Sequence, residues 1–91
     1  MSQNAISLQI YPNPNNGYFT VSLFTETPAE VVFNFYDAQG ARRLKQPKTL
    51  HVGRNNIQMD QRQWEDGMYF LEMQKSGVRV AVARFFISRR R

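Results

Sequence analysis

The 91-residue sequence has no cysteine, which removes a disulfide framework, a thiolate zinc site and a thiol nucleophile at once. It has a single histidine, His51, so a multi-histidine metal site is excluded as well. No apolar run approaches the roughly 20 residues that cross a bilayer as a helix, so membrane insertion is not expected. The first residues, Met1-Ser2-Gln3-Asn4-Ala5-Ile6-Ser7, have neither a charged leader nor a long apolar stretch, and no signal peptide is visible in them. If this piece travels to a membrane system, a segment ahead of it must carry the first address. Glycines are few and none stands in phosphate-loop spacing before a Lys-Ser or Lys-Thr pair. No cofactor is expected.

The chain is rich in aromatic residues, with seven Phe, four Tyr and one Trp, enough to fill the core of one small domain. A domain of this size buries only about 60–65% of the surface its unfolded chain exposes, which leaves no room for a deep catalytic cleft. The net charge of +5 raises nucleic acid as a partner. Its distribution argues against that. Arg42, Arg43, Lys45 and Lys48 form one group, Arg79 and Arg84 a second, and Arg89-Arg90-Arg91 a third, with no nucleic-acid-binding spacing around them. A solvated basic edge on a β-domain accounts for them, and no nucleic-acid partner is expected.

Nearly every periodic segment has period two. Phe19, Val21 and Leu23 alternate with Thr20 and Ser22; Val31, Phe33 and Phe35 have Glu30 and Asn34 opposite; Tyr69, Leu71 and Met73 have Glu72 and Gln74 opposite. Such alternation marks strands buried on one face. Strands are predicted near 6–11, 18–24, 30–36, 41–46, 49–59 (interrupted at Gly53), 68–74 and 78–88, with His51 as a strand residue. Turns are expected at Asn15-Asn16-Gly17, Glu26-Thr27-Pro28, Asp37 to Gly40, Gln46-Pro47-Lys48, Glu65-Asp66-Gly67 and Lys75-Ser76-Gly77. Asp60 to Glu65 is too short for an independent helix and reads as a loop or single turn, with Asp60 as a cap. In the last segment Val78, Val80 and Val82 fall out of phase with Phe85 and Ile87. A bulge near Ala83-Arg84 restores the phase, unless both faces are covered. The fold class is all-β, an antiparallel sandwich of about seven strands. Its expected core is Phe19, Val21, Leu23, Val31, Phe33, Phe35, Ile57, Tyr69, Leu71 and Val80.

No carboxylate pair has a setting that suits acid–base catalysis; Asp37, Asp60, Glu65 and Asp66 all read as turn or capping residues. Trp64 reads as a plug for one end of a small core ahead of a sugar-stacking platform. Gly40 and Gly67 read as turn glycines that need a positive φ. Pro12 and Pro14 bracket Asn13 in a segment that can neither continue a helix nor donate to a central ladder, and Gly17 turns that segment into the next strand.

Taken in order, these motifs resemble the C-terminal sorting domain of proteins exported by the type IX secretion system of Bacteroidota. The Pro-Asn-Pro turn ending in glycine is matched by Pro12, Asn13, Pro14 and Gly17. The Tyr-Asp-x-x-Gly turn is matched by Tyr36, Asp37 and Gly40, with Arg42-Arg43 following. Gly53-Arg54-Asn55-Asn56-Ile57 is similar to the family's Gly-x-Asn-x-Ile strand, and Gly67-Met68-Tyr69-Phe70-Leu71 to its Gly-x-Tyr-x-Leu strand. Arg84, Phe86, Ile87 and Arg89 fall in a final basic and apolar strand; relatives often have two adjacent basic residues there, where this chain has Ala83-Arg84. The resemblance spans about residues 9 to 89. It implies an Ig-like sandwich over residues 9–91, behind a linker or lead-in of residues 1–8, that acts as an export signal without catalysis. The implied partners are the type IX translocon, its outer-membrane shuttle proteins, and a surface sortase that cuts before or near Ile6 to Tyr11. The implied route is periplasm, then cell surface or secretion, as the C-terminal part of a larger precursor. Rival readings are an adhesion or carbohydrate-binding module using Trp64, Tyr69 or Tyr18, and a nucleic-acid-binding barrel.

Overall fold

The computed structural model describes residues 6–89, so Arg90 and Arg91 of the basic tail and Met1 to Ala5 of the lead-in lie outside the described residues. Seven strands follow in order: β1 (Gln9–Tyr11), β2 (Tyr18–Thr25), β3 (Ala29–Asp37), β4 (Arg42–Leu50), β5 (Gly53–Asp60), β6 (Gly67–Lys75) and β7 (Val78–Ile87). They form a three-stranded sheet, β1-β2-β5, packed on a four-stranded sheet, β4-β3-β6-β7. All pairings between named strands are antiparallel. The chain is a β-sandwich, as the alternation predicts.

The core lies between the sheets because each strand turns every second side chain inward. Phe19, Val21 and Leu23 of β2 face Val31, Phe33 and Phe35 of β3, Tyr69, Leu71 and Met73 of β6, and Phe85 and Ile87 of β7, all buried. Phe19 and Phe85 have ring centroids 4.8 Å apart, and Phe35 meets Phe85 edge-on at 6.2 Å. Aromatic pairs of this kind add roughly 0.5–1.5 kcal/mol each beyond their area burial.

The structure departs from the sequence reading in five places. Gln46-Pro47-Lys48 is not a turn: β4 runs unbroken through it, and Pro47 is tolerated because β4 is the sheet's edge. The turn falls instead at His51-Val52, so His51 is an exposed turn residue and not a strand residue. The irregularity in β7 lies opposite Met73-Gln74, which leaves Val80 as the extra residue, not at Ala83-Arg84. Val80 and Ile57 are only partly buried against the core, one at this bulge and the other on edge strand β5. The first strand begins at Gln9, with Ile6 and Leu8 packed on the core ahead of it.

Candidate functional site

The strand directions sort the connections into two groups. The β1–β2 turn, the β3–β4 turn, the β5–β6 connection and the end of β7 share one end of the sandwich, here the motif end. The β2–β3, β4–β5 and β6–β7 turns share the opposite end. This follows from the register, in which Tyr18 lies beside Asp60, Asp37 beside Tyr69 and Gly67 beside Ile87. Pro12, Asn13, Pro14, Gly17, Asp37, Gly40, Gly67, Tyr69, Phe86, Ile87 and Arg89 are therefore collected at the motif end. Arg84 is the exception, part-way along β7 beside Phe70.

The Pro-Asn-Pro turn, whose two X-Pro bonds are cis, is stitched to the last strand. Asn15 N–H donates to the Phe86 carbonyl at 3.0 Å, and Ser88 N–H donates to the Asn15 carbonyl at 2.8 Å. Phe86 N–H donates to Asn13 Oδ1 at 2.9 Å. Asn15 itself is buried: its amide donates to the Pro12 carbonyl at 3.0 Å and its Oδ1 accepts from Gly17 N–H at 2.8 Å. Gly17 has φ 100°, and a Cβ there would stand 2.7 Å from both Arg62 Cα and the Gln61 carbonyl oxygen. Glycine is thus required for two reasons, conformation and close backbone approach. The approach lets Gln61 N–H donate to the Gly17 carbonyl at 2.7 Å.

Two further clamps close the same end. Asp37 Oδ1 accepts from Gln39 N–H and Ala41 N–H at 3.0 and 2.9 Å, and its Oδ2 lies 3.8 Å from Arg43. The Arg43 guanidinium sits 5.6 Å over the Trp64 ring, whose other neighbour, Tyr69, stacks at 5.1 Å. Trp64 is buried and plugs the core, as expected. Tyr69 is anchored by its hydroxyl, which donates to the Glu65 carbonyl at 2.6 Å. Gly40 and Gly67 have φ of 87° and 154°, so both expected turn glycines have positive φ.

Arg89 forms the last clamp. Its guanidinium donates to Asp66 and to the carbonyls of Arg62 and Trp64, the latter two at 2.6 and 2.7 Å. The Arg89 backbone N–H also reaches Asp66 Oδ2 at 3.1 Å, and it leads the contacts that hold the Asp66 carboxyl below the usual carboxylate range. Residues 61–64 make a single turn, closed by Trp64 N–H on the Gln61 carbonyl at 3.0 Å. Asp60 caps it weakly, at 3.4 Å from Arg62 N–H, and is engaged chiefly by the Arg62 side chain at 2.8 Å. That side-chain pairing holds the Asp60 carboxyl below its ordinary value.

Sequence reasoning missed a second polar cluster, on the outer face of the four-stranded sheet. Glu72 reads as a solvent-side alternator, yet it is buried among Asn34, Tyr36, Gln74 and Arg79, which all donate to it at 3.1–3.2 Å. Burial pushes its carboxyl up, but the donors, Arg79 foremost, together bring it below its ordinary value. Burial and then the Glu72 charge raise the Tyr36 phenol. Asn34 Oδ1 is buried without a hydrogen-bond partner among the described residues. The cluster borders a hollow of about 450 Å³ lined by Tyr36, Phe70, Glu72, Arg79 and Val82 together with the Asp37–Gly40 turn.

Asn15 and Asn55 read as turn-formers and motif positions, but both are buried staples. Asn55 donates to the His51 and Gly53 carbonyls at 2.8 and 3.2 Å and accepts from His51 N–H at 3.0 Å. The nearest signal in the sequence is an Asn two residues from a glycine at each turn.

The chain falls in the class of small antiparallel β-sandwich domains, with clamped turns and a C-terminal strand stitched to its N-terminal turn. Within that class the family is shown: the model of the secretion system C-terminal sorting domain matches residues 9–88, and this chain belongs to that family. The family implies a non-catalytic signal domain that interacts with secretion machinery, on a secreted or surface cargo protein. No curated protein matches the chain.

Proposed function

We propose that this chain is the address of a larger exported protein, read in the periplasm and passed through the outer-membrane translocon of a type IX system. The observation that carries this is the family match over residues 9–88. Its proposed partners are that translocon, its outer-membrane shuttle proteins and a surface sortase. Pro12, Asn13, Pro14, Gly17, Asp37, Gly40, Gly67 and Tyr69 act by building the motif end. Arg84 and Phe86 are exposed on the strand that is read, while Ile87 packs that strand on the core and Arg89, just past β7, holds its end. Residues 1–8 serve as the linker to the cargo and residues 9–91 as the signal.

Direction along the sandwich supports a division of labour. β1 runs toward the motif end, so the chain ahead of it enters from the opposite end of a body whose longest extent is 45 Å. Cargo is then held at one end and the C-terminal strand presented at the other. Ile6 and Leu8 pack on the core and β1 is paired, which protects that backbone from cleavage and favours a sortase cut ahead of Ile6.

The test is a fusion of this chain behind a periplasmic reporter in a bacterium with a type IX system. The reporter is expected at the cell surface or in the medium. A fusion that stays periplasmic, while a known sorting domain exports the same reporter, overturns the reading. Replacing Arg89, Arg90 and Arg91 is expected to reduce export less than deleting Arg84 to Arg91, with folding of each variant checked by circular dichroism.

A further inference from the structure

β7 is an edge strand that is covered over only part of its length. Its inner side pairs with β6 from Val78 to Ile87. On its other side the Pro-Asn-Pro turn occupies Phe86 and Ser88, through Asn13 Oδ1 and the Asn15 backbone. Backbone groups of alternate residues on a strand point the same way. The N–H and C=O groups of Val82 and Arg84 therefore share the direction of those of Phe86, and among the described residues no strand or turn takes them. An unpaired edge is a template for another strand.

The side chains around this gap are not those of a blunted edge. Val82 and Phe86 are 48% and 43% exposed on the outer face, with Arg84 exposed between them. Val82 also borders the hollow walled by Tyr36 and Phe70. The far edge of the same sheet, β4, by contrast carries Pro47 between Lys45 and Lys48, a composition that resists pairing. Edge β5 turns Arg54, Asn56 and Gln58 outward and offers no apolar anchor.

We propose that the open stretch Val82–Arg84 binds, by strand addition, an extended segment of the secretion machinery that sets an acidic side chain against Arg84 and a large apolar side chain against Val82. This rests on the sorting reading and names the chemistry of its partner. Main-chain bonds supply affinity in such complexes, and pockets for alternate side chains supply specificity. The acidic preference follows from Arg84, which is exposed and makes no salt bridge among the described residues, and from the net charge of +5. The same charges disfavour a second copy, whose own arginine-bearing edge would lie against this one.

The purified 91-residue chain is titrated with a synthetic peptide of alternating valine and glutamate with a central phenylalanine, and amide exchange is followed by NMR. Binding is expected to slow exchange at Val82 and Arg84 at least about tenfold while leaving β4 and β5 unchanged. Val82→Pro removes an N–H that faces the open edge and leaves the β6 ladder intact; affinity is expected to fall at least about tenfold. If that variant melts early, Val82→Glu replaces it, keeping the ladder and repelling the acidic peptide with the same expected loss. Arg84→Gln is expected to weaken binding about threefold. Absence of binding by the intact chain, equal binding by a folded Val82 variant, or protection at β4 or β5 overturns the proposal. So does concentration-dependent protection of the same amides without peptide, which identifies a second copy as the occupant. Export of the folded Val82→Pro fusion at the parental level also overturns it. A chain that binds the peptide as described but exports nothing leaves the edge site standing and removes the sorting reading instead.

Discussion

The two ends of this sandwich are closed by different kinds of bond. At the opposite end the clamps are local. Asn55 reaches back only to His51 and Gly53, and Thr25 Oγ1 donates to the Thr27 carbonyl at 2.9 Å. The motif end has local clamps too, at Asn15 and Asp37, but adds others that join residues far apart in sequence: Asn13 to Phe86, separated by 73 positions, and Arg89 to Asp66 and Trp64, separated by 23 and 25. A local clamp forms with its own turn and stabilises little else. A distant one orders two segments at once, so the motif end depends on the whole sandwich being assembled and reports on it.

The glycines give the largest expected contrast. Gly17 and Gly53 have nearly equal positive φ, 100° and 101°, but a Cβ at Gly53 meets nothing within 4 Å whereas one at Gly17 strikes backbone of residues 61 and 62. Gly17→Ala is expected to cost about 3 kcal/mol or more, and Gly53→Ala about 1 kcal/mol, by urea denaturation. Equal losses would mean that the close approach of the two connections contributes nothing.

The buried asparagines sharpen the comparison by matching in energy and differing in reach. Asn15→Ala and Asn55→Ala each strand buried backbone groups and are expected to cost about 1–3 kcal/mol. Asn15→Ala alone is expected to speed amide exchange at Phe86 and Ser88. If Asn55→Ala loosens those amides equally, the ends are not separate units.

Glu72, between the two ends, provides a pH test. Its folded-state carboxyl lies below its ordinary value of 4.5, so it contributes stability above that pH, and the contribution is lost as pH falls through the lower folded value. Glu72→Gln is expected to flatten the acid limb of the stability profile. An unchanged acid limb would show that the donors around Glu72 do not favour its charged form.

The smallest effect is expected at Asp66. Its pairing with Arg89 is exposed, so Asp66→Asn is expected to shift stability slightly and only at low salt. A large loss that persists in high salt would give the Asp66 ion pair a structural weight that its exposure does not assign to it.

Period-two alternation alone determined the sandwich: it placed Phe19, Val21, Leu23, Phe33, Phe35 and Leu71 inside, because facing sheets bury every second residue whatever the connections do. Residue order alone determined the family, through turns whose local backbone needs particular residues: Pro-Asn-Pro with Gly17, Asp37 with Gly40, and Gly67 before Tyr69. Only the tertiary structure decided which of those turns meet, because strand direction and sheet order bring Pro12 and Arg89 to one end across the length of the chain. It also decided what edge position changes. Pro47 continues a strand because β4 has no neighbour on that side, and β7 keeps open groups at Val82 and Arg84 because the N-terminal turn covers only its last residues. Burial of Glu72 belongs here too: alternation assigns it to the solvent face, while the neighbours that cover and satisfy it come from strands β3 and β7 as well as its own. Alternation tells which face a side chain takes, but hydrogen bonding across strands depends on register, and register is settled by the assembled sheet.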